Sequence, residues 1–320
     1  MTTAYFPYAP TVRRKLALRT FLLPLVAILV HSLTQAVVSL LYLIISQLVA
    51  LANGGGTSAE FILTNHFDSS SLVAPLGLSA LVQILLYSLT ILFLTKREPF
   101  YAGLLPRRKS DAPLGILMAL GALALAQFIV LGITVLAENL PFFADILSDY
   151  STHSEATVSS NLFLDFMVVV VLVPLAEELL FRGLLVGELR RVVGSGVSIW
   201  VGGLVFALVH FNPVQIIYVI PAGLIFAAAY VYTDSLLLST VMHMVYNFFG
   251  SIFPSLIHLD ALVESDDRFG LVYLLIQVVL LLVGIIALIF LRRRYKKGKK
   301  QALYRLTPVD RQDPVGLAQV

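Results

Sequence analysis

Gly270 to Leu291 reads GLVYLLIQVVLLLVGIIALIFL, and Arg292-Arg293-Arg294-Tyr295-Lys296-Lys297 follows at once. The apolar run carries no charge. A hydrocarbon core of roughly 30 Å is crossed by about 20 helical residues at about 1.5 Å each. In lipid every backbone N–H and C=O must be satisfied within its own segment, so a run of this length reads as a membrane-spanning helix. The basic cluster marks its cytoplasmic end, because cytoplasmic loops hold the Lys and Arg excess.

Seven further apolar runs repeat the pattern: 21–52, 72–95, 114–137, 161–189, 195–211, 214–232 and 235–253. The fold expected is therefore all-α, a polytopic transmembrane helical bundle of about eight spans. Composition agrees. Hydrophobic residues make up 58% and charged residues 13% of the 320, against roughly 45–50% and about 25% in soluble chains. So apolar a chain with a net charge of only +3 is neither disordered nor built to bind nucleic acid. It has no cysteine, which excludes disulfides, Cys-ligated metals and a thiol nucleophile. The first run is too long for the roughly 7–15 apolar residues of a secretory signal, so it reads as a retained helix.

Loop charge sets the orientation. Arg13, Arg14, Lys15 and Arg19 precede the first run; Lys96, Arg97, Arg107, Arg108 and Lys109 follow the second; Arg190 and Arg191 follow the fourth. The alternate loops carry Asp145, Asp149 and Glu155, then Asp260, Glu264, Asp266 and Asp267. Eight crossings with both termini in the cytoplasm satisfy every loop. Residues 1–20 then form a basic cytoplasmic arm and 21–291 the transmembrane domain. Residues 292–320 form a basic cytoplasmic tail, expected to be disordered and to touch anionic lipid. The connections at 138–160 and 254–269 are too short to fold alone. The expected location is a bacterial plasma membrane, as a multi-pass integral protein.

Ionisable residues inside the spans concentrate between 177 and 247. Glu177, Glu178 and Arg182 sit in the fourth run, His210 ends the fifth, and His243 and Asn247 lie in the seventh. An acid or arginine at mid-bilayer costs about 2.5–3.5 kcal/mol, so these three oppose insertion by about 8–10 kcal/mol before pairing. Glu178 and Arg182 are i,i+4 and can pair, while Glu177 is turned about 100° away. His243 and Asn247 are also i,i+4, as are Phe206 and His210. Asp165 stands apart, near the outer end of its span where water is close. His31 and Gln35, one turn apart in the first run, read either as polar contacts to a neighbouring helix or as part of a site.

An acid with histidines fits general-base activation of water, and a His with an amide fits stabilisation of an oxyanion. The sequence has no HExxH, no GxGD and no GxSxG elbow. Together these suggest amide hydrolysis within the membrane.

Glu177-Glu178-Leu179-Leu180-Phe181-Arg182-Gly183 resembles the EExxxR motif of the CPBP family, the CAAX-protease and bacteriocin-processing (Abi) intramembrane endopeptidases. Phe206-Ala207-Leu208-Val209-His210 is similar to its FxxxH motif, and His243-Met244-Val245-Tyr246-Asn247 to its HxxxN motif. Order and spacing agree, and the resemblance covers a core at about 160–250. At Tyr232-Thr233-Asp234-Ser235-Leu236 many members have Gly in place of Asp234 and Trp after the Leu; Asp234 or Ser235 is expected to cap a helix there.

The resemblance implies roles. Glu177 would activate water and His210 would help hold it. His243 and Asn247 would stabilise the oxyanion, and Glu178 and Arg182 would orient the site. A metal-free mechanism is favoured. A divalent ion such as zinc is the alternative, and Glu177, His210 and His243 would be its ligands. The substrate would be a membrane-embedded or lipidated peptide, in peptide maturation or bacteriocin self-immunity. The rival readings are a non-catalytic membrane scaffold that regulates a sensor kinase or exporter, and a small-solute or proton transporter. Straight-helix counting places Glu177 and His210 roughly 15–20 Å apart in depth. To meet, either the fifth helix continues through Pro213 with a kink, or residues 211–217 are re-entrant.

Overall fold

The computed structural model describes residues 17–52, 70–94, 108, 110–155, 161–190 and 192–304. Arg13, Arg14, Lys15, Lys96, Arg97, Arg107, Lys109, Arg191 and residues 305–320 lie outside the described residues.

The described chain is helical. α1 is Leu18–Ala52; α2 is Ser70–Leu89, widening into a π turn at Thr90–Leu94; α3 is Asp111–Ala137; α4 is Pro141–Glu155. α5 runs over 162–189, α6 is Ser195–Leu208 and α7 is Pro213–Thr233. α8 begins at Leu236–Asn247 and continues to Leu256, α9 is Leu259–Ser265 and α10 is Asp267–Tyr304. Six helices are long and apolar enough to cross a membrane: α1, α2, α3, α7, α8 and α10. α5, which carries the charges, and the short α6 complete a bundle of about eight spans. The protein is thus an integral, multi-pass membrane protein.

Helix extends beyond two of the spans. The 138–160 connection holds the helix α4, whose Tyr150 hydroxyl meets that of Tyr218 at 3.3 Å. The tail does not become disordered at 292, because α10 stays helical to Tyr304. Its end is held against its neighbours. Arg294 donates to Asp111 Oδ1 at 2.8 Å and to Ser110 Oγ at 3.1 Å, and Tyr295 meets Ser195 at 2.9 Å.

Small residues let the helices close up. α3 and α10 cross antiparallel at Gly121 and Gly284, where a Cβ on either would stand 2.7 Å from the other's Cα. α6 and α7 touch through Gly203 and Gly223, again backbone to backbone. Such contacts replace the hydrophobic driving force that lipid does not supply between helices.

α5 is wound unevenly. Wide i→i+5 turns at Phe166–Leu172 and Leu179–Val186 flank an ordinary segment, Val173–Glu178. Pro174 lacks an N–H and its ring crowds the carbonyl four residues back, so the first π turn lies where the ladder must open. Pro254 follows a similar turn, Phe248–Ile252, in α8.

Candidate active site

α5 brings Glu177, Glu178 and Arg182 to the middle of the bundle. Arg182 and Glu178 are fully buried, and Arg182 Nη1 lies 2.9 Å from Glu178 Oε1. The guanidinium also donates from Nη2 to the Gly223 carbonyl at 3.1 Å. Its carbon stands 4.4 Å from the Phe206 ring centre and 5.6 Å from that of Phe226. These contacts explain how a buried arginine is tolerated: each offsets part of its desolvation. They also give a local reason for the glycines. Only a close α6–α7 crossing sets the Gly223 carbonyl and the Phe206 ring on the same guanidinium.

α8 supplies His243. Its Nδ1 lies 3.1 Å from Glu178 Oε1 and its Nε2 lies 3.6 Å from Glu177 Oε2. One imidazole thus faces both carboxylates. Glu178 is tied on its other side to Arg182. Glu177 keeps 13% exposure where Glu178 has none. Asn247, one turn on, donates from Nδ2 to the Val169 carbonyl at 2.9 Å. That carbonyl belongs to the first π turn of α5, where backbone bonding is rearranged.

His210 lies in the turn between α6 and α7, its Nδ1 2.9 Å from the Phe206 carbonyl. A carbonyl only accepts, so Nδ1 carries a proton, and in the neutral ring Nε2 is then the acceptor. The Phe206 ring is the common platform: it meets Phe181 at 5.1 Å, His210 at 5.2 Å and His243 at 5.6 Å, all edge-on.

The expected depth mismatch is absent, and neither proposed route is the reason. α6 stops at Leu208, short of Pro213. Residues 213–217 are the first turns of α7, capped by Asn212 Oδ1 accepting from Gln215 N at 3.0 Å. Phe211 makes the reversal in the left-handed region at φ 57°. α5 and α6 form a hairpin about the 190–194 turn. The contacts of Val186 with Gly202 and of Arg182 with Phe206 set the hairpin register, and carried one turn further it puts Glu178 level with His210. The straight-helix count failed because it measured each span from its own membrane edge.

Three other sequence expectations are settled. Asp165 is wholly buried, not water-facing. Ser235 is the cap, its Oγ accepting from Leu238 N at 3.1 Å. Asp234 instead ends α7 in the left-handed conformation at φ 55° and pairs with Arg190. A left-handed C-cap is a position that favours glycine, and Asp is among the few other residues that adopt it.

Among the described residues, no three His, Asp or Glu side chains form a group that could hold an ion. His210 and His243 face Phe206 from separate elements, and both His243 nitrogens are turned to carboxylates. Sequence reasoning brought the six site residues forward. It missed the two backbone carbonyls, of Gly223 and Val169, and Phe226. A carbonyl leaves no side-chain signal; Gly223 hinted at close approach only by being glycine.

Residues 159–249 match the family described as Rce1-like, type II CAAX prenyl endopeptidase. The match covers the EExxxR, FxxxH and HxxxN residues, and supports a CPBP-type intramembrane protease core there. The chain is also similar to the "Membrane-embedded CAAX protease MroQ" of Staphylococcus aureus (strain USA300), 34% identical over 106 residues. That stretch is 31% of this chain and 42% of the relative, so the chain spans less than half the length of the relative it matches. No solved structure matches the chain.

Proposed function

We propose that this chain, with a CAAX-endopeptidase-like core at 159–249, is an intramembrane endopeptidase acting on a membrane-embedded or lipid-modified peptide. The observation that carries the reading is His243 set between two carboxylates, one buried and bound to Arg182, the other partly exposed.

The mechanism follows from those roles. Glu177 accepts a proton from water, and the oxygen attacks the peptide carbonyl carbon. His210 holds that water through the Nε2 lone pair. The carbonyl becomes an oxyanion. His243, held through Nδ1 by Glu178, offers Nε2–H to it, and Asn247 offers the amide hydrogen that Val169 does not use. The C–N bond breaks as Glu177 returns its proton to the leaving amine. One water is consumed and a carboxylate and an amine are released. Arg182 holds Glu178 fixed, so that His243 keeps one orientation. No step passes through a metal. A bacterial plasma membrane is the setting, and maturation of a signalling or bacteriocin peptide, or self-immunity to one, is the context.

The test compares membrane peptides by mass spectrometry in cells carrying the wild type and cells carrying Glu177→Gln. New termini made only by the wild type support proteolysis and name the substrate. Identical profiles, with the variant folded and the cellular phenotype intact, would refute it in favour of a non-catalytic scaffold.

A further inference from the structure

The core at 159–249 does not account for one polar pair beside it. His31 of α1 and Tyr87 of α2 are 7% and 1% exposed, and their rings stack at 6.5 Å. His31 Nδ1 and the Tyr87 hydroxyl are buried without a hydrogen-bond partner. Gln83 Nε2 donates to the His31 carbonyl at 3.1 Å, which fixes the register of α1 on α2. Burying an unmatched polar group is costly, and two side by side in a membrane helix pair ask for a partner.

Register shows which partner. A Cβ on Gly77 would meet Val168, and a Cβ on Gly183 would meet Ile91. α2 therefore runs parallel to α5, from the 77–168 contact to the 91–183 contact. Tyr87, between them, falls at the level of Glu178 and Leu179. His31, stacked on Tyr87, shares that level. The wall around the pair is otherwise apolar, with Ala27, Ile91, Leu179 and Leu180 in one cluster.

We propose that His31 and Tyr87 are substrate-positioning residues that hydrogen-bond the peptide backbone on the α1–α2 side of Glu177. A peptide entering a membrane site loses the water that solvated its N–H and C=O groups, and needs replacements. A hydroxyl and an imidazole can each donate or accept, so the pair suits one peptide group of any sequence. The pair is covered here. α1, largely exposed to lipid and packed on α2 and the later part of α5, is the element that shifts to admit the peptide. This inference rests on the endopeptidase reading.

The test uses Tyr87→Phe and His31→Leu in the full chain. Tyr87→Phe keeps the ring and removes only an unmatched hydroxyl, so it carries the test if His31→Leu fails to fold. The mass-spectrometric comparison first identifies a peptide cut by the wild type but not by Glu177→Gln. That peptide, synthesised, is then assayed in liposomes with each variant. KM is expected to rise about tenfold in Tyr87→Phe, with kcat within about twofold and thermal stability equal or higher. Unchanged KM and kcat would overturn the inference alone. So would a fall in kcat without a change in KM, or a KM rise accompanied by lost stability, which would mean packing. If the wild type produces no new termini, the endopeptidase reading fails and the inference falls with it.

Discussion

Arg182→Met tests the centre of the site most directly, because the cost can be worked contact by contact. The substitution removes the ion pair to Glu178 and the bond to the Gly223 carbonyl. It also removes the cation over Phe206. A hydrogen bond to a charged group contributes about 1.5–3 kcal/mol. A desolvated cation–π contact contributes about 2 kcal/mol. Together they approach the roughly 3–5 kcal/mol lost when one partner of a buried pair is removed. Part of that loss is the penalty on Glu178, a buried carboxylate left with His243 alone. The double variant Glu178→Gln/Arg182→Met should therefore recover part of the stability that Arg182→Met loses. Reversible unfolding in mixed micelles measures both. Activity separates the roles: each variant should lose cleavage, because each removes a contact that fixes Glu178 behind His243. If Arg182→Met costs under about 1 kcal/mol, or the double variant costs the sum of the singles, the buried pair is not what organises the site.

Further predictions concern other parts of the bundle. Asn247→Ala frees the Val169 carbonyl and removes an oxyanion donor; kcat is expected to fall roughly 10²- to 10³-fold, read in the liposome assay. Cleavage should survive exhaustive chelation, whereas loss restored by added zinc would refute the metal-free mechanism. Gly284→Val pushes side-chain atoms into the backbone of α3 and should destabilise by at least about 1–3 kcal/mol, seen as a lower unfolding midpoint. Asp234→Gly suits the left-handed conformation and loses only a partly exposed ion pair, so stability should change by under about 1 kcal/mol. Asp234→Val should cost about 1–3 kcal/mol at the same position.

Much was legible from residues alone. Uninterrupted apolar runs such as 270–291 need a membrane, and lipid admits only a helix there, so the all-α architecture and six of the spans follow from length and hydropathy. Intramembrane charge is costly enough that Glu177, Glu178 and Arg182 announce themselves, and the i,i+4 rule pairs the latter two correctly. What the sequence leaves open is relations between helices. That His243 bridges both glutamates, that Arg182 ends on the Gly223 carbonyl, and that Phe206 carries four neighbours depend on crossings at Gly203 and Gly223. The level of His210 depends on where a hairpin turns, not on where a membrane begins. The two readings of His31 stayed open for the same reason: its level beside Glu177 is set by helix register. Periodicity acts within one helix and is written in the chain; packing joins residues tens of positions apart, and only the tertiary structure decides it.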